Sequence, residues 1–296
     1  MEIRVLKYFL MVAREENITR ASQLLHVTQP TLSRQLMQLE DELGVKLFQR
    51  GSHRIVLTED GMLLRRRAQE IVDLADRTAR DFARGQGELS GEINLGGGET
   101  RSMALISQMI AALLKEHPRV RCKLFSGNAD SIKERIESGL LDLGLLVEPV
   151  DISRYEFIRL PVREERGVLV RADSPLAGRP FVTPQDLIGE PLMLSDRTPV
   201  QNELMNWFGD EAGHVNVVTT YNLLYNAAMM VRAGVGIALC IRLDCEYDGL
   251  RFLPLSPPLD MHSVLVWKKS HVFSPTVAAF LEHVRTCLKS MKDNPI

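Results

Sequence analysis

The 296-residue chain reads as a multi-domain protein: a mainly α-helical winged helix-turn-helix over residues 1–58, a long linker helix over 59–88, and an α/β part of two Rossmann-like subdomains over 91–296. Three observations predict this architecture. Short amphipathic helical runs joined by a tight turn fill the first forty or so positions and lead into two strand-like runs. A charged stretch with apolar residues every three or four positions then continues for roughly seven helical turns. Beyond it, short apolar runs alternate with helical patterns, the texture of β-α-β units around a parallel sheet.

The length exceeds the usual single domain, and 45% apolar with 25% charged residues is ordinary globular composition. No apolar run approaches the roughly 18 residues of a membrane span. Glu2 and Arg4 lead directly into an amphipathic helix, so no signal peptide and no membrane partner are expected, and the expected location is the cytoplasm. A net charge of −2 argues against a chain that coats nucleic acid indiscriminately, yet residues 1–58 carry +2 and the remainder −4. That bias is mild and favours DNA contact at the N-terminal end.

Leu6, Phe9, Leu10 and Ala13 follow the spacing of an amphipathic helix. A second short helix over 19–25 turns Ala21, Leu24 and Leu25 inward, and the tight turn His26-Val27-Thr28 follows. Thr28 starts a third helix: its hydroxyl is an N-cap acceptor, and Pro30 falls in the first turn, where a missing N–H costs nothing. On that helix Leu32, Leu36, Leu39 and Leu43 share a narrow arc, while Pro30, Ser33, Arg34 and Met37 point away. Gln29, Thr31, Ser33, Arg34 and Gln35 crowd the first turns, and Glu40, Asp41 and Glu42 are held to the far end. A phosphate backbone tolerates this distribution, although the segment alone fits an ordinary solvated helix equally well. Two helices joined across so short a turn, with the small Ala21 at the crossing, make a helix-turn-helix. Residues 46–50 and 54–58 around Gly51-Ser52-His53 read as a hairpin wing, with Arg50, His53 and Arg54 at its tip.

Between positions 21 and 61 the chain carries Ala21, Leu24, Val27, Thr28-Gln29-Pro30, Leu32-Ser33-Arg34-Gln35, Leu39-Glu40, Leu43-Gly44, Leu47-Phe48, Arg50, Leu57-Thr58 and Gly61. This order resembles the N-terminus of the bacterial LysR-type transcriptional regulators. The resemblance implies regulation of transcription rather than catalysis, double-stranded DNA with a dyad-symmetric site and RNA polymerase as partners, and Thr28, Gln29, Pro30, Thr31, Ser33, Arg34, Arg50, His53 and Arg54 as DNA-contacting residues.

From the N-cap Thr58, with Glu59 and Asp60 in the first turn, the linker helix runs to the breakers Gly85-Gln86-Gly87. Leu64, Ala68, Ile71, Ala75, Thr78 and Phe82 step by fours and threes, as a coiled-coil seam does. The stripe suits either an arm packed on its own domain or pairing with a second copy. The resemblance implies the latter, making Leu64, Ala68, Ile71, Ala75 and Phe82 dimerisation residues of a homodimer or homotetramer. Two paired recognition helices would then meet grooves roughly 34 Å apart.

After Ser90-Gly91, a strand at 93–95, a helix at 103–116, an alternating strand at 120–125, a helix at 130–138 and a buried strand at 141–147 form one β-α-β-α-β series. A comparable series runs from Gly167 to Leu239, and a strand at 263–268 with a helix at 275–288 ends the chain. The resemblance implies an effector domain of the type II periplasmic binding protein-like fold, echoed by Gly96-Gly97-Gly98-Glu99-Thr100 and Gly234-Val235-Gly236-Ile237-Ala238. Subdomain I would hold 91–162 and 266–296 and subdomain II 163–265, with crossings near Pro161 and Leu265.

In an open α/β sheet, ligands bind beyond the carboxyl ends of the strands, against helix N-termini. This selects Thr100, Arg101, Ser102, Gly127, Asn128, Val147, Arg197, Thr198 and Asn222 as residues around a small-molecule effector, although hydroxyl residues at such junctions serve equally as helix caps. The hydroxyl at Thr100 is further favoured, since in the resembled family it commonly meets the effector's anionic group. Arg101 and Arg197 suit a carboxylate; Glu99 and Asp196 beside them oppose one, so the ligand's charge stays open. No bound cofactor or metal is expected. Cys122, Cys240, Cys245 and Cys287 lack metal-ligand spacing and read as reduced thiols. No Gly-x-Ser-x-Gly or His-Glu-x-x-His motif points to catalysis. Two alternatives stand beside the regulator: a cytoplasmic solute-binding protein, and a redox-responsive regulator working through Cys240 and Cys245.

Overall fold

In the computed structural model, which describes residues 1–50, 55–82, 89–269 and 272–293, the chain divides into a unit of Met1–Arg84 and a unit of Gly85–Ile296. The first begins with α1 (Ile3–Glu15), which stops where Glu16 turns left-handed. The side chain of Asn17 accepts from Arg20 N at 2.9 Å to start α2 (Ile18–Leu24). Thr28 Oγ1 accepts from Thr31 N at 3.4 Å, Pro30 sits in the first turn, and α3 (Gln29–Leu43) ends at Gly44 with φ of 70°. That left-handed stop is the usual role of glycine after a helix. Leu6, Phe9, Ala21, Leu32, Leu36, Leu39 and Leu47 are buried together.

Two leucines expected in this core lie outside it: Leu24 is 48% and Leu43 39% exposed. Both occupy the last position of their helix, where the chain turns away from the core. In the last turns of α3 a buried place goes to Glu40 instead.

Strands β1 (Phe48–Arg50) and β2 (Ile55–Leu57) pair antiparallel, Phe48 opposite Leu57; Gly51, Ser52, His53 and Arg54 at the expected tip lie outside the described residues. Thr58 Oγ1 donates to Lys46 O at 2.6 Å and accepts from Gly61 N at 2.9 Å, fastening the wing to the start of α4 (Glu59–Phe82). A Cβ at Gly61 would lie 2.1 Å from Leu47 O, so only glycine fits there.

Helix α4 divides the expected seam. Leu64 and Ala68, with Val72, pack into the core of their own unit, and Lys7 pairs with Asp76 at 2.7 Å. Ile71 is exposed, as are Leu63 and Leu74, and Ala75 is half-buried. Because a helix repeats every 3.6 residues, steps of four and three drift across two neighbouring faces, and the small Ala68 admits α1 on one of them. The side chain of Phe82 lies outside the described residues.

The second unit is built on one sheet. Strands β3 (Gly91–Gly97), β4 (Val120–Ser126) and β5 (Leu143–Val147) are parallel, connected through α5 (Ser102–Glu116) and α6 (Ala129–Glu137). Next come β6 (Tyr155–Arg171), α7 (Pro184–Leu187), β7 (Pro191–Ser195), α8 (Thr198–Phe208), β8 (Asn216–Tyr221), α9 (Leu224–Arg232) and β9 (Ile237–Ile241), with β7 parallel to both β8 and β9. The chain closes with β10 (Leu250–Pro254), β11 (Asp260–Lys268) and α10 (Pro275–Asp293). The strand order is β4-β3-β5-β11-β6-β9-β7-β8, with β10 also on β6.

Strand β6 spans 17 residues where a strand was expected only from Gly167. Its first part pairs with β11 in the first lobe and, from Arg166 on, it pairs with β9 and β10 in the second. Strand β11 begins at Asp260, opposite Glu165, and Leu265 already pairs with Leu145 of β5. The crossings therefore lie at residues 164–167 and 260–262, the second earlier than the expected Leu265. Each lobe has cores on both sheet faces: Leu95, Ile106, Leu143 and Phe280 against Ile132, Ile136 and Val266 in the first, Leu192, Leu204 and Phe208 against Met193, Ala227 and Ala228 in the second. Among the described residues no helix is long and apolar enough to cross a membrane.

Candidate DNA-reading face and ligand cleft

On α3 the residues selected from sequence share one surface. Thr28, Gln29, Pro30, Thr31 and Arg34 are exposed and Ser33 is half-buried. Gln29 Nε2 donates to Ser33 Oγ at 2.9 Å, and the Thr28 and Thr31 hydroxyls are 2.8 Å apart. The polar groups of the first turn are thus held to the helix surface and project away from the Leu32-Leu36-Leu39 face. Glu40, which the charge pattern alone placed among the surface acids, accepts from Leu47 N at 2.8 Å, Phe48 N at 3.4 Å and Lys46 Nζ at 2.8 Å. Burial raises its pKa, but these donors outweigh it and hold the carboxyl below the ordinary value. Glu40 therefore orients the wing against the recognition helix. The side chains of Arg50, His53 and Arg54 lie outside the described residues.

In the second unit, Glu164 on β6 is fully buried at the crossing between lobes. Its carboxylate accepts from the Thr100 hydroxyl, from Ser102 N at 3.1 Å and Oγ at 2.6 Å, from Ser263 Oγ at 2.9 Å and from Arg101 N at 3.3 Å. The N-terminus of α5, β6 and β11 are joined through this one group. A carboxylate at a helix N-terminus, met by hydroxyls and backbone N–H groups, is the arrangement an anionic ligand would otherwise receive. The chain supplies it from within. Thr100 and Ser102 are accordingly buried around Glu164, while the Arg101 side chain reaches Asp244 of the other lobe at 2.8 Å.

Between the lobes, at the carboxyl ends of the strands, lies a cavity of about 130 Å³. Of the residues selected from sequence, Gly127, Asn128, Val147, Arg197 and Asn222 line it; Thr100, Arg101, Ser102 and Thr198 do not. Thr198, the first residue of α8, is exposed. Contacts bridge the lobes around the cavity. Asn128, the N-cap of α6, donates to Asp196 at 3.3 Å, Arg197 donates to Pro149 O at 3.0 Å, and Glu99 accepts from Leu224 N at the start of α9.

Glu148 and Tyr221, in the strand-end loops beside Val147 and Asn222, also line the cavity, as does Arg166, which sequence reasoning missed. Arg166 is 4% exposed and donates to Glu203 Oε2 at 2.8 Å and to Met261 Sδ at 2.7 Å. Burial pulls its pKa below the ordinary guanidinium value, with Glu203 opposing the shift, and arginine stays charged regardless. A signal for both buried charges is present in the sequence: Ile158, Leu160, Val162, Glu164, Arg166, Val168 and Val170 share one phase of a period-2 strand. Among the described residues no group of His, Cys, Asp and Glu is arranged to hold a metal ion.

Residues 3–62 match the model of the bacterial regulatory helix-turn-helix proteins of the lysR family, and residues 86–288 match the LysR substrate binding domain. A hydrogen peroxide-inducible genes activator of Pectobacterium carotovorum is 33% identical over 269 residues, covering 87% of this chain and 87% of that protein. The DNA-binding transcriptional dual regulator OxyR of Escherichia coli K12 is also 33% identical, covering 87% of this chain and 86% of its own. Full-length CbnR complexed with its target DNA superposes with a TM-score of 0.74 at 24% identity, covering 97% of this chain and 99% of that one.

Proposed function

Since the chain belongs to the LysR family of DNA-binding transcriptional regulators with an effector-binding domain, we propose that two copies present their α3 helices to a dyad-symmetric site, and that a small molecule between the lobes alters this grip. The observation that carries the ligand role is the cavity itself: it lies at the carboxyl ends of the strands and is ringed by contacts that join the lobes. A ligand entering it competes with or reinforces those contacts, so its binding energy is coupled to lobe geometry. Pairing is supported by Leu63, Ile71 and Leu74, exposed apolar residues on one side of α4. Four-chain assembly and contact with RNA polymerase extend this reading by family analogy. The checking measurement is a footprint of the full-length chain on its operator across a metabolite panel. At least one compound is expected to change the protected length or the DNA bend; a footprint indifferent to every compound that binds the protein removes the sensing role.

The Pectobacterium carotovorum relative is named as an activator of hydrogen peroxide-inducible genes, which bears on a role for Cys240 and Cys245. Cys240 is buried in β9, and burial pushes its thiol up to about 12. The reactive species is the thiolate, so Cys240 is held in its unreactive form, while Cys245 is exposed. The Cys240→Ser and Cys245→Ser chains are expected to give wild-type footprints with and without hydrogen peroxide. An oxidant-dependent footprint abolished by either substitution would establish a thiol switch.

A further inference from the structure

In the first lobe the sheet ends on an open edge. Strand β6 pairs with β11 along one side, and β10 continues that side from Gly167. On its other side β6 meets β9 only between Arg166 and Leu169. Residues 156–160 therefore have no strand on that side among the described residues, before Pro161 and a register irregularity opposite His262 and Val264 end the regular stretch. Such an edge spans roughly 17 Å at about 3.3 Å per residue, and its alternate N–H and C=O groups are a template for another extended chain. Alongside it runs a groove of about 640 Å³. Ile158 and Arg159, consecutive in the regular stretch, both line it; a groove confined to one face of the sheet would touch alternate residues only, so this one follows the edge. Its other wall is the end of α10, with Leu288 and Met291 apolar and Arg285 and Lys289 basic. Among the described residues the lining holds no acid. Glu148 pairs with Arg159 and Glu282 lies 3.8 Å from Arg285, while Lys289 is exposed and has no ion pair among the described residues.

We propose that this edge docks an extended segment of another protein in which apolar and acidic residues alternate. The segment adds to β6 as a further strand, its backbone bonded to the free edge. Side chains of a strand alternate between faces, so one set lies against Ile158, Leu288 and Met291 on the α10 face and is apolar. The other set points to the opposite face, which Arg159 and the exposed Phe157 share, and is acidic. Arg285 and Lys289 add positive charge along the rim of the groove. A second copy of this chain fits less well, because it would bring the same basic rim against this one, and like charges oppose pairing across an interface. Strand β6 runs on from the edge into the crossing at Glu164, so the docked segment borders the strand that joins the lobes.

Fluorescence anisotropy of short labelled peptides against the full-length chain tests the proposal. Alternating valine and aspartate is the probe; alternating valine and lysine controls for charge, and alternating serine and aspartate for the apolar wall. The valine–aspartate peptide is expected to bind at least tenfold tighter than either control. The chain carrying Arg159→Gln with Lys289→Gln, both at exposed positions, is expected to lose at least tenfold in affinity for it while unfolding at the wild-type temperature. An added strand bonds through the amides of alternate residues, so N-methylation of the valine amides or of the aspartate amides, one set and not the other, should abolish binding. Equal effects of the two methylations overturn strand addition. Equal binding of the lysine peptide, or undiminished affinity in the variant chain, overturns the acidic partner, and equal binding of the serine peptide overturns the apolar wall. Failure of the valine–aspartate peptide to bind overturns the proposal outright; if the assembly mass by light scattering also falls in the variant chain, the edge belongs to a second copy instead.

Discussion

Replacing Glu164 by leucine is expected to destabilise the C-terminal unit by about 3–5 kcal/mol, the range for removing one partner of a buried charged network. The carboxylate is the common acceptor for three hydroxyls and two backbone N–H groups, so leucine matches its approximate volume and satisfies none of them. Orphaned neutral donors cost about 1–3 kcal/mol each when buried; side-chain hydroxyls can rotate toward other acceptors, whereas the N–H groups of Arg101 and Ser102 cannot, which keeps the total below the sum of five. For a unit of this size about 1 kcal/mol moves the midpoint by roughly 2–4 °C, so thermal unfolding of the full-length chain should show a transition lowered on the order of 10 °C. Ser263→Ala, which removes a single donor to a carboxylate that keeps the others, should cost about 1 kcal/mol. Glu164→Gln keeps one acceptor oxygen and should fall between the two. A Glu164→Leu midpoint within about 2 °C of wild type would show that the carboxylate does not clamp the crossing.

The expectation that Thr100 meets an anion is answered in an unexpected way. The hydroxyl at the strand-to-helix junction was legible in the sequence because the features that mark it are local. Its partner was not, because Glu164 stands 64 positions away and sits in a strand whose first half alternates charged and apolar residues without an obvious boundary. The same distinction runs through the chain. Thr28, Pro30 and Thr58 act on neighbours a few residues off, and the starts of α3 and α4 were readable from them, whereas the cap at Asn17 and the left-handed stop at Gly44 were not read. The last-turn leucines Leu24 and Leu43 and the divided stripe of α4 were not, since periodicity gives the angle between side chains and leaves open which neighbour each face meets. Glu40 shows the point with a single residue: by charge it belonged to the surface acids, whereas three donors from residues 46–48 bring it inside. In the cleft, Asn128 and Arg197 were found because junction residues were searched, and Arg166 was missed because it lies within a strand.

If two copies pair as proposed, Arg34→Ala should weaken operator binding by more than one contact is worth, because the contact is then made twice. Arg34 is exposed on the polar face of α3, opposite the buried leucines, so alanine there should change folding stability by no more than about 0.5 kcal/mol. If the guanidinium reads a base edge, its loss costs about 1–3 kcal/mol per head, or roughly 2–6 kcal/mol on a dyad-symmetric site, a loss of at least about thirtyfold. If it meets phosphate instead, the dependence of log K on log salt should flatten by about 0.9 per head, with discrimination between sequences unchanged. Fluorescence anisotropy on a full operator and on an isolated half-site, each at several salt concentrations, separates these cases. A loss on the full site close to twice that on the half-site, in free energy, supports two α3 helices acting together through the α4 face of Leu63, Ile71 and Leu74. Equal losses on both would deny the pairing, and no loss on either would remove α3 from the DNA interface, since the family's reading places its contacts on this helix and Arg34 is the cation the helix exposes.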